Sequence, residues 1–123
     1  MPDSVPDQIL RAITTVADQY HRLVLVLGGP ATGKTAALQV VAKRIAATRV
    51  NLNLELSRRL MDLTARQSAI QFLALFNDTL AAFPGDTLVL DNIEIVFDPA
   101  LQQDPLHHFQ AASRNRTLVV AWP

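Results

Sequence analysis

The chain has 123 residues, half of them hydrophobic, with eleven basic and eleven acidic side chains and a formal net charge of zero. That length makes one domain around one core, and with no apolar stretch of membrane-spanning length and no secretory signal the expectation is a cytoplasmic protein with no membrane contact. The absence of cysteine excludes disulfides and thiolate metal sites, while the balanced charge speaks against a generally basic nucleic-acid surface and leaves only a local DNA contact open.

In chain order, Ile9, Ile13, Val16, Ala17 and Tyr20 recur at helical spacing, which predicts an amphipathic helix over 6–20. A nucleotide-binding core over 22–123 follows. Leu23 to Leu27 is a continuous apolar run, read as a buried strand, and Ala36 to Ile45 reads as a helix. Between them stands Gly28-Gly29-Pro30-Ala31-Thr32-Gly33-Lys34-Thr35, which fits G-x-x-x-x-G-K-[ST] and holds three of the four glycines in the chain. Strand, glycine loop and helix in this order form the context of a phosphate-binding loop. Glycines let the backbone turn its N–H groups toward an anion, and the helix start adds its positive dipole end. Lys34 is placed to reach the β- and γ-phosphates of ATP and Thr35 to ligate Mg²⁺, with Gly28 to Ala36 as the binding segment.

Residues 50–56 alternate apolar and polar, which predicts a half-exposed strand such as lies at a sheet edge. Ser57 reads as an N-cap for a short helix. Thr64-Ala65-Arg66-Gln67 reads as a capping box that restarts it, with Phe72, Phe76, Leu80 and Phe83 on one face. After the turn at Pro84-Gly85-Asp86 comes the apolar strand Thr87 to Asp91, a hydrophobic strand ending in an acid suited to hold the same Mg²⁺ as Thr35. Asn92 follows where many ATPases carry glutamate, so Glu94 is the first candidate for orienting the attacking water and Glu55 the second. Asp98-Pro99 and Asp104-Pro105 each pair an N-cap with proline at the first helical position, predicting two short helices that end near Ser113. Arg114 and Arg116 follow. They fit either simple helix C-terminal charges or a finger presented to a neighbouring subunit's ATP. Arg58 and Arg59 read as opening a helix, and the adjacent His107 and His108 lack a further metal ligand nearby. Thr117 to Trp122 is a last apolar strand. Strands alternating with helices predict an α/β domain with a parallel sheet. With the glycine loop it fits the three-layer sandwich of P-loop NTPases of the ASCE/AAA+-like kind, lacking a last strand and a lid domain. Only four strands can be found where such sheets have about five, so the expectation is either that a last strand is missing from this sequence or that a partner, such as a second copy in a homo-oligomer, covers the open edge.

The segments Leu54 to Leu60, Leu90 to Pro99 and Ser113 to Thr117 resemble BrxF, the small P-loop protein family of type 3 BREX bacteriophage-exclusion systems. The resemblance covers essentially the whole chain. It implies a cytoplasmic bacterial ATPase that works with other BREX proteins in phage defence linked to DNA methylation. By position it implies that Gly28 to Thr35 hold phosphate and that Asp91 and Glu94 form the acidic site. The chain also resembles AAA+ ATPases, without a polar sensor residue in Leu118 to Ala121 and without a helical lid.

Overall fold

A computed structural model describes residues 4–28 and 33–123. Among the described residues five α-helices and four strands follow in the order α1 (Val5–Val16), β1 (Leu23–Val26), α2 (Lys34–Arg44), β2 (Thr48–Asn51), α3 (Leu52–Leu60), α4 (Ala65–Ala81), β3 (Thr87–Asp91), α5 (Pro105–Ala112) and β4 (Thr117–Ala121). Two 3₁₀ turns, Glu94–Phe97 and Pro99–Leu101, separate β3 from α5. The strands pair in parallel in the order β1-β4-β3-β2. The fold is α/β, a four-stranded parallel sheet flanked by helices.

Pleating divides β1, β3 and β4 between two cores. Val24, Val26, Val89, Val119 and Ala121 pack with Ile9 of α1 and with Ala37, Leu38 and Val41 of α2. Val50, Leu88, Leu90, Leu118 and Val120 pack with Leu56, Phe72, Phe76 and Phe109 from α3, α4 and α5. Leu88, Val89, Leu90, Leu118, Val119 and Val120 have no solvent exposure. Burial on both faces is why β3 and β4 read as unbroken apolar runs.

Three sequence expectations are corrected. The N-terminal helix spans 5–16, not 6–20: Ser4 caps it by accepting from the Asp7 N–H. Beyond Ala17 the chain is pulled out toward β1, where His21 Nδ1 contacts the Gln110 carbonyl and the Arg22 N–H donates to Ser113. Tyr20 is 69% exposed, off the apolar stripe. The alternating segment 50–56 is a strand only to Asn51. The Asn51 side chain accepts from the Leu54 N–H and starts α3 there, so the cap is Asn51 and not Ser57. Leu52, Leu56 and Leu60 are then one buried helical stripe and Leu54 turns outward. Arg58 and Arg59 consequently close α3 rather than opening a helix, where the dipole favours cations. The third correction is of α2, which begins at Lys34 and ends at Arg44. Thr64 makes the expected reciprocal capping box with Gln67, and Asp98 and Asp104 cap as expected.

Candidate functional site

Parallel strands put all their C-terminal ends on one side of the sheet, and there the chain gathers its candidate chemistry. Gly28 leaves β1, Asp91 ends β3, Ala121 ends β4 and Lys34 begins α2. Gly28, Gly33, Lys34, Thr35, Asp91 and Glu94 line one cavity of about 440 Å³, joined by Asn92, Ala121 and Pro123. Of the predicted binding segment, Gly29, Pro30, Ala31 and Thr32 lie outside the described residues. Ala36 is exposed on the first turn of α2 and is not part of the cavity wall.

Gly33 is the N-cap of α2 with φ +77°. A Cβ there would meet nothing within 4 Å, so the left-handed backbone rather than crowding is what favours glycine. Having no side chain, Gly33 caps none of the first N–H groups of α2. The first turn carries no acid, and Lys43 and Arg44 sit in the last. That helix start therefore has backbone donors and a positive dipole end beside the cavity. The Lys34 ammonium donates to the Trp122 carbonyl at 2.8 Å, bridging α2 to the end of β4.

Opposite stands Asp91, 8% exposed, with Oδ1 accepting from the Asn92 N–H at 2.8 Å. Asn92 takes φ +51°, a left-handed turn that asparagine tolerates and that bends the chain out of the strand. Glu94 is exposed, and its Oε2 accepts from Asn53 Nδ2 at 2.7 Å. Asn53 is a three-way clamp. Its Oδ1 accepts from the Ile95 N–H at 2.7 Å, and its own N–H donates to the Asn92 carbonyl at 2.7 Å. Sequence reasoning missed Asn53 because it was assigned to a strand. An Asn51 cap placing Asn53 in a first helical turn was the available signal.

The other candidates stand apart. Glu55 lies on α3 and pairs with Arg58 at 3.5 Å and Arg59 at 3.4 Å. Arg114 and Arg116 precede β4, at the end of the sheet opposite the cavity. The Arg114 guanidinium lies 4.9 Å above the Tyr20 ring centre. Arg116 donates to the carbonyls of Leu80, Phe83 and Gly85 and so ties down the end of α4. Among the described residues no three His, Cys, Asp or Glu side chains are grouped to share a metal, and no helix is long and apolar enough to cross a membrane. Mg²⁺ held largely by phosphate and water needs only one or two protein oxygens, and Thr35 and Asp91, which both line this cavity, fit that demand.

Comparison with known proteins returned no matching family model, no matching curated protein and no matching solved structure.

Proposed function

We propose that the protein binds ATP with Mg²⁺ at this cavity and hydrolyses it slowly, as a nucleotide-controlled, self-associating component of a BREX-type phage-defence system. The observation that carries the reading is the pairing of two elements across one cavity. One is Gly28 with Gly33, Lys34 and Thr35, the last three at a cationic, uncapped helix start. The other is a nearly buried carboxylate at the end of β3. Lys34 would leave the Trp122 carbonyl for the β- and γ-phosphates, Thr35 and Asp91 would hold Mg²⁺, and Glu94 would orient water. The BREX role, with other BREX proteins as partners, rests on the resemblance in Leu54 to Leu60 and Leu90 to Pro99; DNA contact has no support from the net charge.

A second reading is a nucleotide-switched assembly module with little turnover. Asn92 beside Asp91 favours it, as does the hydrogen bond that already occupies Glu94. Calorimetry and phosphate release together test both. Wild type should bind Mg·ATP, Lys34→Ala should lose binding while keeping its fold, and Asp91→Ala should lose the Mg²⁺ dependence. Undiminished affinity in Lys34→Ala refutes the site. Binding without phosphate release selects the assembly module.

A further inference from the structure

The sheet has two outer strands, and they are protected differently. β2 carries the exposed Arg49 at its edge, a charge that discourages pairing with another chain. β1 has no such guard. Leu23-Val24-Leu25-Val26-Leu27 holds neither charge nor proline. Its bonds to β4 use every second residue: the Arg22 carbonyl accepts from Leu118 and the Val26 carbonyl from Trp122. The same alternation turns the N–H and C=O groups of Leu23, Leu25 and Leu27 outward, away from β4. Leu27 is 70% exposed, and Val5, 47% exposed, sits with Gln8, Ile9 and Ala12 beside the strand, lining a groove of mixed polarity there.

We propose that this edge pairs antiparallel with β1 of a second copy, centred on Leu25, and makes one eight-stranded sheet. The occupant follows from the pattern. Leu-Val-Leu-Val-Leu reads the same in both directions, so a two-fold axis through Leu25 sets Leu23 opposite Leu27, Val24 opposite Val26 and Leu25 opposite itself. All three outward-facing residues become hydrogen-bonded pairs. Leu23, Leu25 and Leu27 of both copies meet on one face, and the valines meet on the other, beside the grooves at α1. The exposed Leu27 is thereby covered.

The pairing also deepens the ATP reading, on which this one consequence rests. Antiparallel strands carry the end of the second copy's sheet that bears Arg22 and Arg114 to the end that bears Gly28. Residue 28 then stands opposite residue 22 of the second copy. The Arg22 N–H already donates to Ser113, next to Arg114, so both arginines mark that corner. The Arg22 guanidinium is already paired with Asp86 at 3.3 Å, so Arg114 is the cation the neighbour brings toward a phosphate cavity that has only Lys34 on its described wall.

The interface is tested without nucleotide, so its failure is separate from failure of the ATP site. Sedimentation should show a dimer that Leu27→Lys weakens by about tenfold or more, as a lone charge set against apolar surface does. Leu27 is exposed, so the variant should keep the wild-type circular dichroism. Because the chain has no cysteine, Leu25→Cys places one thiol per copy, with Cα atoms about 5.5 Å apart across the axis, inside disulfide range. Mild oxidation should link it to itself, while Met61→Cys, more open to solvent than position 25 but remote, should not link. A wild type that remains monomeric at the highest soluble concentration overturns the proposal. So does a dimer that Leu27→Lys leaves intact and Leu25→Cys fails to link, which would mean that another surface associates.

Discussion

Glu94 and Asn53 show how one side chain can be both placed and held. Glutamine at position 94 still offers an oxygen to Asn53 Nδ2, so Glu94→Gln should change unfolding stability by less than about 0.5 kcal/mol. If Glu94 orients water, phosphate release should fall about 10²-fold; an unchanged rate assigns it to the clamp alone. Asn53→Ala removes the acceptor of the half-buried Ile95 N–H and should cost about 1–2 kcal/mol in a denaturant titration. His108 offers a pH-dependent case. Gln103 Nε2 donates to the Ala69 and Leu101 carbonyls, which turns its Oε1 to His108 and makes Nε2 the protonated nitrogen. Nδ1 is buried with no hydrogen-bond partner among the described residues. Burial first, and the neighbouring His107 second, hold the His108 pKa below its ordinary 6.5. The folded form therefore takes up its proton later than the unfolded chain. Stability from this site is fully present above pH 6.5 and is lost as pH falls through the folded value. Titration by NMR should place the His108 pKa below 6.5, and His108→Gln should flatten the loss of stability on acidification.

Among the elements, what was legible depended on whether a signal was local. The Thr64–Gln67 box and the Asp-Pro pairs at 98–99 and 104–105 are written in adjacent letters, and each caps as read. The start of α3 was not legible. Leu52, Leu54 and Leu56 satisfy period two, Leu52, Leu56 and Leu60 satisfy period four, and only the Asn51 cap decides between them. Arg116 was read for its charge, but its partners are carbonyls some thirty residues away, at distances of 2.8 and 2.9 Å for Leu80 and Phe83. No local pattern announces that contact. Arg116→Ala should leave the last carbonyls of α4 without their donor and cost about 2 kcal/mol, seen as a melting point lower by about 8 °C. Arg114→Ala, which removes a ring contact at the surface, should cost less than about 1 kcal/mol. Equal losses would contradict this division of labour.

For the whole molecule, the continuous apolar runs announced the buried parallel strands, and the four-strand count matched the sheet. Strand order was not readable. It emerges from pairings such as Leu25 with Val120 and Val50 with Leu90, made across 95 and 40 residues of chain. That order leaves β1 at the margin, with a run of leucine and valine on an outer strand. The cavity was legible in its two acidic candidates and in Gly28, Gly33, Lys34 and Thr35, because motif spacing encodes them. Its closing wall at Ala121 and Pro123 was not, since those residues arrive only through β4.

The bond from Lys34 to the Trp122 carbonyl gives the protein an optical signal of its own. Trp122 is the chain's single tryptophan, and its ring meets Phe97 and Phe109 edge-on at 5.0 and 6.1 Å. An anion that draws the ammonium away from that carbonyl changes the polarity beside the indole. Intrinsic fluorescence should therefore shift as Mg·ATP is added, saturating at the concentration that calorimetry gives. The shift should vanish in Lys34→Ala, with no dye or label attached. Emission that stays constant while calorimetry records binding would mean that Lys34 keeps its hold on Trp122 throughout.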